Sequence, residues 1–335
     1  MAEPILSVRD LHTEFVANEG IIRAVDGVSF DVFEGRTLGV VGESGCGKSV
    51  TARSILGIVE KPGRVTGGQI LLRRAHDPKG DNAPVDLLKL SPKAMRDIRG
   101  PEIALVFQEP MASFSQYYTV GNQIMEGIRL HLGLSRRAAR DRAIELLDMV
   151  GVPQPSRRVD EYPFQLSGGL RQRVMIAMAL ACDPRVLIAD EPTTALDVTT
   201  QAQILDLLRD LQQKQGLALI LITHDMGVIA EMAHDVAVMY LGRAVETGPV
   251  GQIFSAPRHP YTRALLRSIP TVLARPRTRL PTIEGSIPHP SNRPTGCAYN
   301  PRCLEIIDDR CRTREPPETG AATTRVRCFL HGGLE

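Results

Sequence analysis

Tryptophan is absent from this chain, aromatic residues make up only 4% of it, and net charge is nearly absent too, at +2 over 335 residues. Without large aromatics the interior must be packed with aliphatic side chains, which a 43% hydrophobic content can supply. Aliphatic-rich cores suit parallel sheets covered by helices, so the expectation is an α/β protein. The longest unbroken apolar run, Val174 to Cys182, falls far short of the roughly 20 residues of a membrane span. Met1 to Asp10 shows no charged segment followed by an apolar one, and so does not look like a secretory signal. These absences lead us to expect a cytoplasmic protein that reaches a membrane only through a partner. The small positive excess sits in residues 271–335, with ten arginines against seven acids. They are interleaved with acids and prolines rather than with aromatics, which reads as a solvated surface and not as a nucleic-acid interface.

What is present is punctuated by glycine. Gly42-Glu43-Ser44-Gly45-Cys46-Gly47-Lys48-Ser49 fits the phosphate-binding pattern G-x-x-x-x-G-K-[S/T] without departure. Leu38, Val40 and Val41 lead into it and a helix-compatible stretch, Val50 to Val59, follows, so the glycines fall at a strand-to-helix turn. In that setting backbone N–H groups wrap the phosphates of a nucleotide. Lys48 reaches the β- and γ-phosphates, Ser49 supplies a hydroxyl to Mg²⁺, and the positive end of the helix faces the anion.

Residues 5–33 carry period-two patterns such as Val28-Ser29-Phe30-Asp31-Val32, broken at Asn18-Glu19-Gly20, and read as antiparallel strands with a hairpin. Phe15 in this segment can stack on an adenine ring or point inward as an ordinary strand residue, and a lone aromatic leaves both open. Thr66-Gly67-Gly68 reads as a turn before the strand Gln69 to Leu72, and Ala75 to Val85 as a polar loop. Ile103 to Phe107 is a buried-strand candidate that delivers Gln108 to a sheet edge, within reach of Mg²⁺ or an attacking water. Tyr117 to Ala181 has a helical pattern, with Ser135 capping a helix to about Val150 and Gly151 stopping it. Ser167-Gly168-Gly169 then opens a helix through Ala181, a second helix start fit to bind an anion. Val186 to Asp190 is an apolar strand ending in paired carboxylates: Asp190 suits the Mg²⁺ shell, and Glu191 can orient and partly deprotonate a water. Asp197 caps a helix with Ile204, Leu207, Leu208 and Leu211 as core, closed by Gly216. The strand Leu217 to Ile222 presents His224, which can hydrogen-bond a γ-phosphate. Val236 to Tyr240 and Arg243 to Glu246 form a last hairpin. A boundary follows near Gly248-Pro249, then a short helix from His259-Pro260-Tyr261 to Ser268. Six prolines between Pro270 and Pro294 forbid long regular elements.

Cys46 and Cys182 read as core or loop residues. Cys297, Cys303, Cys311 and Cys328 crowd a segment too short and proline-rich to bury a real core, which suggests a metal staple. Reduced cytosolic thiols argue against disulfides. The spacing lacks the paired C-x2-C knuckles usual for zinc. Four thiolates suit a [4Fe–4S] cluster whose charge Arg302, Arg310, Arg312 and Arg327 could offset. Spacing alone leaves zinc and iron–sulfur level, with unligated thiols as a third reading.

With these stretches in place the chain resembles an ATP-binding subunit of an ABC transporter over nearly its whole length. Gly42 to Ser49 matches Walker A, Gln108 the Q-loop, Leu166 to Gln172 the signature, Val186 to Asp190 Walker B with Glu191 after it, Ala195-Leu196-Asp197 the D-loop, and His224 the switch histidine. Ala24 to Phe30, Phe107 to Met111, Arg171 to Ala179 and His259 to Leu265 are similar to the dipeptide/oligopeptide importer group. Leu170 in the signature and Ala189 to Thr194 look like its D-type subunit. Where the group reads Ser-Leu-Asn-Pro, this chain has Ser113-Phe114-Ser115-Gln116.

The resemblance implies an ABC-type P-loop ATPase fold: a RecA-like core, an antiparallel β subdomain and a helical subdomain (about 117–181) within residues 1–248, and a small extension over 249–335. It implies ATP and Mg²⁺ as cofactors, with Mg²⁺ held by Ser49, Gln108 and Asp190. It also implies a [4Fe–4S] cluster on the four tail cysteines, with zinc as the alternative. The site would be shared head-to-tail, with Gly42, Ser44, Gly45, Gly47, Lys48 and Ser49 of one chain facing Ser167, Gly168, Gly169 and Asp197 of another. Glu191, His224 and Gln108 would be the catalytic set. Implied partners are a second ATP-binding subunit, forming a heterodimer, two transmembrane permease subunits and an external substrate-binding protein, and the implied location is peripheral, on the cytoplasmic face of the inner membrane. Peptides are the default cargo, with nickel, glutathione or oligosaccharides as alternatives. A soluble ABC ATPase acting on DNA or ribosomes would be expected to show tandem units or long coiled-coil insertions, and this chain has neither. A P-loop kinase or GTPase would leave the signature unexplained.

Overall fold

The computed structural model describes residues 3–17, 20–74, 83–269, 282–321 and 323–332. Asn18 and Glu19 of the expected hairpin turn, the polar stretch 75–82 and the proline-bearing stretch 270–281 lie outside the described residues. The chain divides into two compact units, one formed by Met1–Ile5, Val32–Arg36 and Leu72–Leu221, the other by Leu6–Asp31, Thr37–Leu71 and Ile222–Glu335.

In the second unit the strand Thr37–Val41 is buried at every residue. An inner parallel strand has both faces covered, so it reads as continuous apolar sequence rather than as alternation. It runs parallel to Asp235–Tyr240, with Val40 opposite Ala237 and Val41 opposite Val238. Asp235–Tyr240 pairs antiparallel with Arg243–Pro249, the expected last hairpin. The tail extends this sheet: Thr324–Arg327 pairs antiparallel with Arg243–Pro249, and Glu318–Ala321 pairs in turn with Thr324–Arg327. Nothing in the sequence pattern marks these tail strands, which lie beyond the prolines and are only four residues each. Beneath them, Val41, Ile229, Val238, Tyr240, Tyr261 and Tyr299 share one buried cluster. Helix Pro260–Arg267 supplies Tyr261, and its cap is His259, whose ring nitrogen accepts from the Tyr261 N–H at 3.0 Å.

A second sheet in this unit places Leu6–Ala17 between Gly20–Val32 and Gly63–Leu72. The expected turn at Thr66-Gly67-Gly68 is instead part of the strand Gly63–Leu72. Gly68 has φ +98°, and a Cβ there would press on the carbonyl oxygens of Arg9 and Asp10. The glycine marks a close approach of two strands, which local sequence cannot tell from a turn.

In the first unit Ile103–Val106 and Val186–Asp190 pair parallel, with Ala218–Thr223 beside the latter. Around them lie helices Val120–Leu132, Arg136–Met149, Gly168–Ala179 and Val198–Gln215. Each begins at a side chain that accepts from an otherwise orphaned amide: Thr119, Ser135, Ser167 and Asp197. On Val198–Gln215 the interior residues are Ile204, Leu205, Leu208 and Leu211, whereas Leu207 is only half-buried. Ser113 to Gln116 is tied to the first of these helices: Phe114 is buried, and the Gln123 amide bridges the N–H and carbonyl of Ser115 at 2.9 and 3.0 Å.

Candidate functional site

The phosphate loop joins Thr37–Val41 to helix Lys48–Ile55. Two of its glycines are dictated by space. A Cβ at Gly42 would run into the carbonyl oxygen of Met239, and one at Gly47 into that of Ala24; both have positive φ, at 157° and 101°. Lys48 is buried and its ammonium donates to the carbonyls of Gly42 at 2.7 Å and Glu43 at 3.1 Å, so the loop is closed on itself by its own cation. Cys46 is buried inside the loop, and burial pushes its thiol up, which makes it a packing residue. Ser44 and Gly45 are exposed at the tip and Ser49 is half-buried. Phe15 is half-buried in its strand, with the ring edge against Gly63. His224 is exposed just after strand Ala218–Thr223, and Asp225 next to it caps helix Met226–Met232 by accepting from the Gly227 N–H at 2.7 Å.

The first unit holds the carboxylates. Strand Val186–Asp190 is buried throughout and ends in Asp190, which is 5% exposed. Glu191 follows at φ +48°, a left-handed conformation that costs a non-glycine residue roughly 1 kcal/mol. There its Oε2 accepts from Gln108 Nε2 at 3.1 Å and from Thr194 Oγ1 at 2.9 Å. The geometry thus joins Gln108 to Glu191 directly. It adds Thr194, to which sequence reasoning gave no role although it lies three residues from Glu191. A buried oxygen donor at a strand end fits Mg²⁺, which takes one or two carboxylates together with substrate phosphates and water rather than a protein cage. When bound, that ion would neutralise phosphate charge.

At the second helix start, Ser167 accepts from the Leu170 N–H at 3.5 Å and Gly168 is exposed, with open space where a side chain would be. Gly169 is confined, since a Cβ there would sit 2.7 Å from Thr200 Cγ2. Thr200 also donates its hydroxyl to Asp197 at 2.6 Å, and hydrogen bonds from Thr200 hold the Asp197 carboxyl below its ordinary range. The signature start and Asp197 are therefore joined through Thr200, a residue that sequence reasoning did not single out.

The tail cysteines require a correction. Cys297, Cys303, Cys311 and Cys328 do line one small cavity, with His259, Tyr299 and Phe329. Yet the described residues contain no group of three or more His, Cys, Asp or Glu side chains placed to hold a metal ion. The cavity, about 20 Å³, admits roughly one water and not a cluster of eight atoms. Burial pushes the Cys297 and Cys328 thiols up to about 11 and raises that of Cys303. The four arginines expected to balance a cluster are each paired with a carboxylate: Arg302 with Glu43, Arg310 with Asp308, Arg312 with Asp309 and Arg327 with Glu318. Neither the iron–sulfur cluster nor the zinc alternative is upheld.

Comparison with known proteins adds three findings. Residues 25–194 match the family model described as ABC transporter, and residues 245–311 match that described as oligopeptide/dipeptide transporter, C-terminal region. The chain is 50% identical over 312 residues to the dipeptide transport ATP-binding protein DppD of Escherichia coli (strain K12), covering 93% of this chain and 92% of that one. It is 47% identical over 324 residues to DppD of Haemophilus influenzae, covering 97% and 94%. Among solved structures it is similar to the dimeric structure of a bacterial ABC transporter cassette, with TM-score 0.63 and 28% identity over 73% of this chain and 98% of that one.

Proposed function

The chain belongs to the ABC transporter family and is an ATPase coupled to transport, and from that premise we propose that it energises import of dipeptides and short oligopeptides. The observation that carries this reading is one chain holding both a full set of ATPase motifs and a C-terminal region of the oligopeptide/dipeptide transporter type. We take residues 1–248 as the nucleotide-binding domain, with a helical subdomain at about 117–181, and 249–335 as the importer-type extension. The proposed partners are a second ATP-binding subunit, two permease subunits and an external binding protein. Among the described residues no helix is long and apolar enough to cross a membrane, which is consistent with peripheral attachment at the cytoplasmic face of the inner membrane.

Two helix starts fit for anions in one chain are accounted for by a head-to-tail pair in which each site takes the loop of one subunit and the signature of the other. Lys48 and the loop amides would bind the phosphates from one side, with Ser167, Gly168 and Gly169 approaching from the other. Phe15 would face the adenine, and Asp190, Gln108 and Ser49 would hold Mg²⁺. Glu191, aimed by Gln108 and Thr194, would orient and deprotonate the attacking water, and His224 would hydrogen-bond the γ-phosphate. Asp197, at the same helix junction as the signature, would form part of the interface.

The test is ATP-driven uptake in vesicles that hold the permeases, both ATPase subunits and the cognate binding protein. Uptake of a labelled dipeptide is expected. Uptake of nickel, glutathione or an oligosaccharide in its place would overturn the peptide assignment while leaving the ATPase intact.

A further inference from the structure

Glu43, the first variable residue of the phosphate loop, is held by the C-terminal extension. Its carboxylate takes both terminal nitrogens of Arg302, at 2.8 and 3.1 Å, and its backbone N–H donates to the Tyr261 hydroxyl at 3.0 Å. Its carbonyl accepts from Lys48 and from the Cys46 N–H. Three of the polar groups of one loop residue therefore have partners, two of them more than 200 residues away in sequence. Arg302 is itself fixed. Its side chain is 3% exposed, its Nε donates to the Glu284 carbonyl at 3.0 Å, and its guanidinium lies 5.9 Å from the centre of the Tyr240 ring. Tyr240, Tyr261 and Tyr299 form a mutually packed trio with ring centres 4.7 to 5.3 Å apart. Tyr240 ends the strand that pairs with Thr37–Val41, the strand entering the loop.

We propose that Arg302 and Tyr261 are positioning residues for ATP, a latch by which the C-terminal extension sets the phosphate loop and cancels the Glu43 charge at its mouth. Two physical effects act together. A loop already held in its phosphate-wrapping shape does not lose conformational freedom when the nucleotide arrives. A free carboxylate beside a triphosphate repels it, and a bidentate guanidinium removes that repulsion as a lysine, with one point of contact, would only partly do. Nothing in the ATPase motifs calls for an arginine 259 positions after Glu43.

This inference rests on reading Gly42 to Ser49 as the ATP site, so the experiment keeps the two apart. Equilibrium binding of a fluorescent ATP analogue is measured on the full-length protein for wild type, Lys48→Ala, Arg302→Gln, Arg302→Lys, Arg302→Gln/Glu43→Gln and Tyr261→Phe, with thermal unfolding of each. Lys48→Ala tests the site alone; retention of wild-type affinity there overturns the ATP-site reading and the latch with it. Arg302→Gln is expected to weaken binding about tenfold, within the range of ordinary coupling between sites. Arg302→Lys should recover part of the loss, and the double variant most of it, because the repelling charge is gone. Tyr261→Phe, which removes one oxygen and leaves the packing, should weaken binding about threefold, and it answers the question even if Arg302→Gln does not fold. A lower unfolding temperature with wild-type affinity in the Arg302 and Tyr261 variants means that these residues only hold the fold together, and overturns the latch. So does a double variant that binds no better than Arg302→Gln.

Discussion

Replacing Glu191 by Gln isolates the chemical step from binding. The side chain keeps its length, and an amide oxygen can still accept from Gln108 Nε2 and Thr194 Oγ1, now at 3.1 and 2.9 Å. The positive φ of residue 191 is a property of the backbone and is unchanged. What disappears is the ability to take a proton, and loss of a positioned general base lowers turnover by about 10²- to 10⁴-fold. At 1.36 kcal/mol for each tenfold, that is about 3 to 5 kcal/mol of transition-state stabilisation. Lys48 and the loop are untouched, so ATP affinity is expected to stay within about twofold, and ATP should trap the closed dimer because hydrolysis no longer releases it. The assay is phosphate release at saturating ATP, with equilibrium nucleotide binding and gel filtration with and without ATP on the same preparation. Turnover within a few-fold of wild type refutes Glu191 as the base. Loss of affinity in step with turnover refutes the separation of roles, because Glu191 would then be part of the binding surface.

Other outcomes follow from the same geometry. Ser167→Ala deletes a helix cap worth about 1 kcal/mol and one side of the shared phosphate site. Phosphate release should fall at least tenfold while nucleotide affinity of the single subunit is retained, and a parallel loss of affinity would contradict the head-to-tail arrangement. Asp26 is 6% exposed and receives Arg243 Nε at 2.7 Å and Arg293 Nη1 at 2.6 Å. Asp26→Ala takes the acid partner from half-buried Arg293 and leaves Arg243 with Glu315 alone, at 2.6 Å, so it should cost about 1–3 kcal/mol in denaturant unfolding, and a cost below about 0.5 kcal/mol would show that water replaces the carboxylate. Burial, assisted by Arg263, holds the His259 ring neutral with its pKa lowered to about 3 from 6.5. The unfolded chain then binds the extra proton first as pH falls, so stability is full above about pH 6.5 and declines toward pH 3. The loss from pH 7 to pH 5 should be about 2 kcal/mol, and it should shrink in His259→Asn, whose side chain can still cap Tyr261. An equal pH dependence in that variant would assign the effect to other groups.

The parts of the molecule visible in the sequence are those set by short-range rules. The strand–loop–helix around Lys48, the caps Ser135, Ser167 and Asp197, the stop at Gly216 and the carboxylates ending Val186–Asp190 all depend on neighbours within a turn or two. Errors arose where a residue type serves two purposes. Gly68 has the local signature of a turn glycine yet lets two strands touch; Leu207 matches the helical period, but the interior takes Leu205. The crowding of the tail cysteines in sequence suggests ligands, and they do line one cavity with Tyr299 and Phe329, but the described residues place no three of their side chains to hold a metal ion. Long-range pairs such as Arg302 with Glu43 had no local signal, since nothing near either residue requires the other.

The span between those two residues also orders events on the ribosome. A nascent chain grows at roughly 5–20 residues per second, so Arg302 is made about 13 to 50 s after Glu43, an interval of 259 positions. Throughout it the nascent phosphate loop carries an unpaired carboxylate and lacks Tyr261's hydroxyl for most of the time. With the latch as proposed, full ATP affinity belongs to the nearly finished polypeptide.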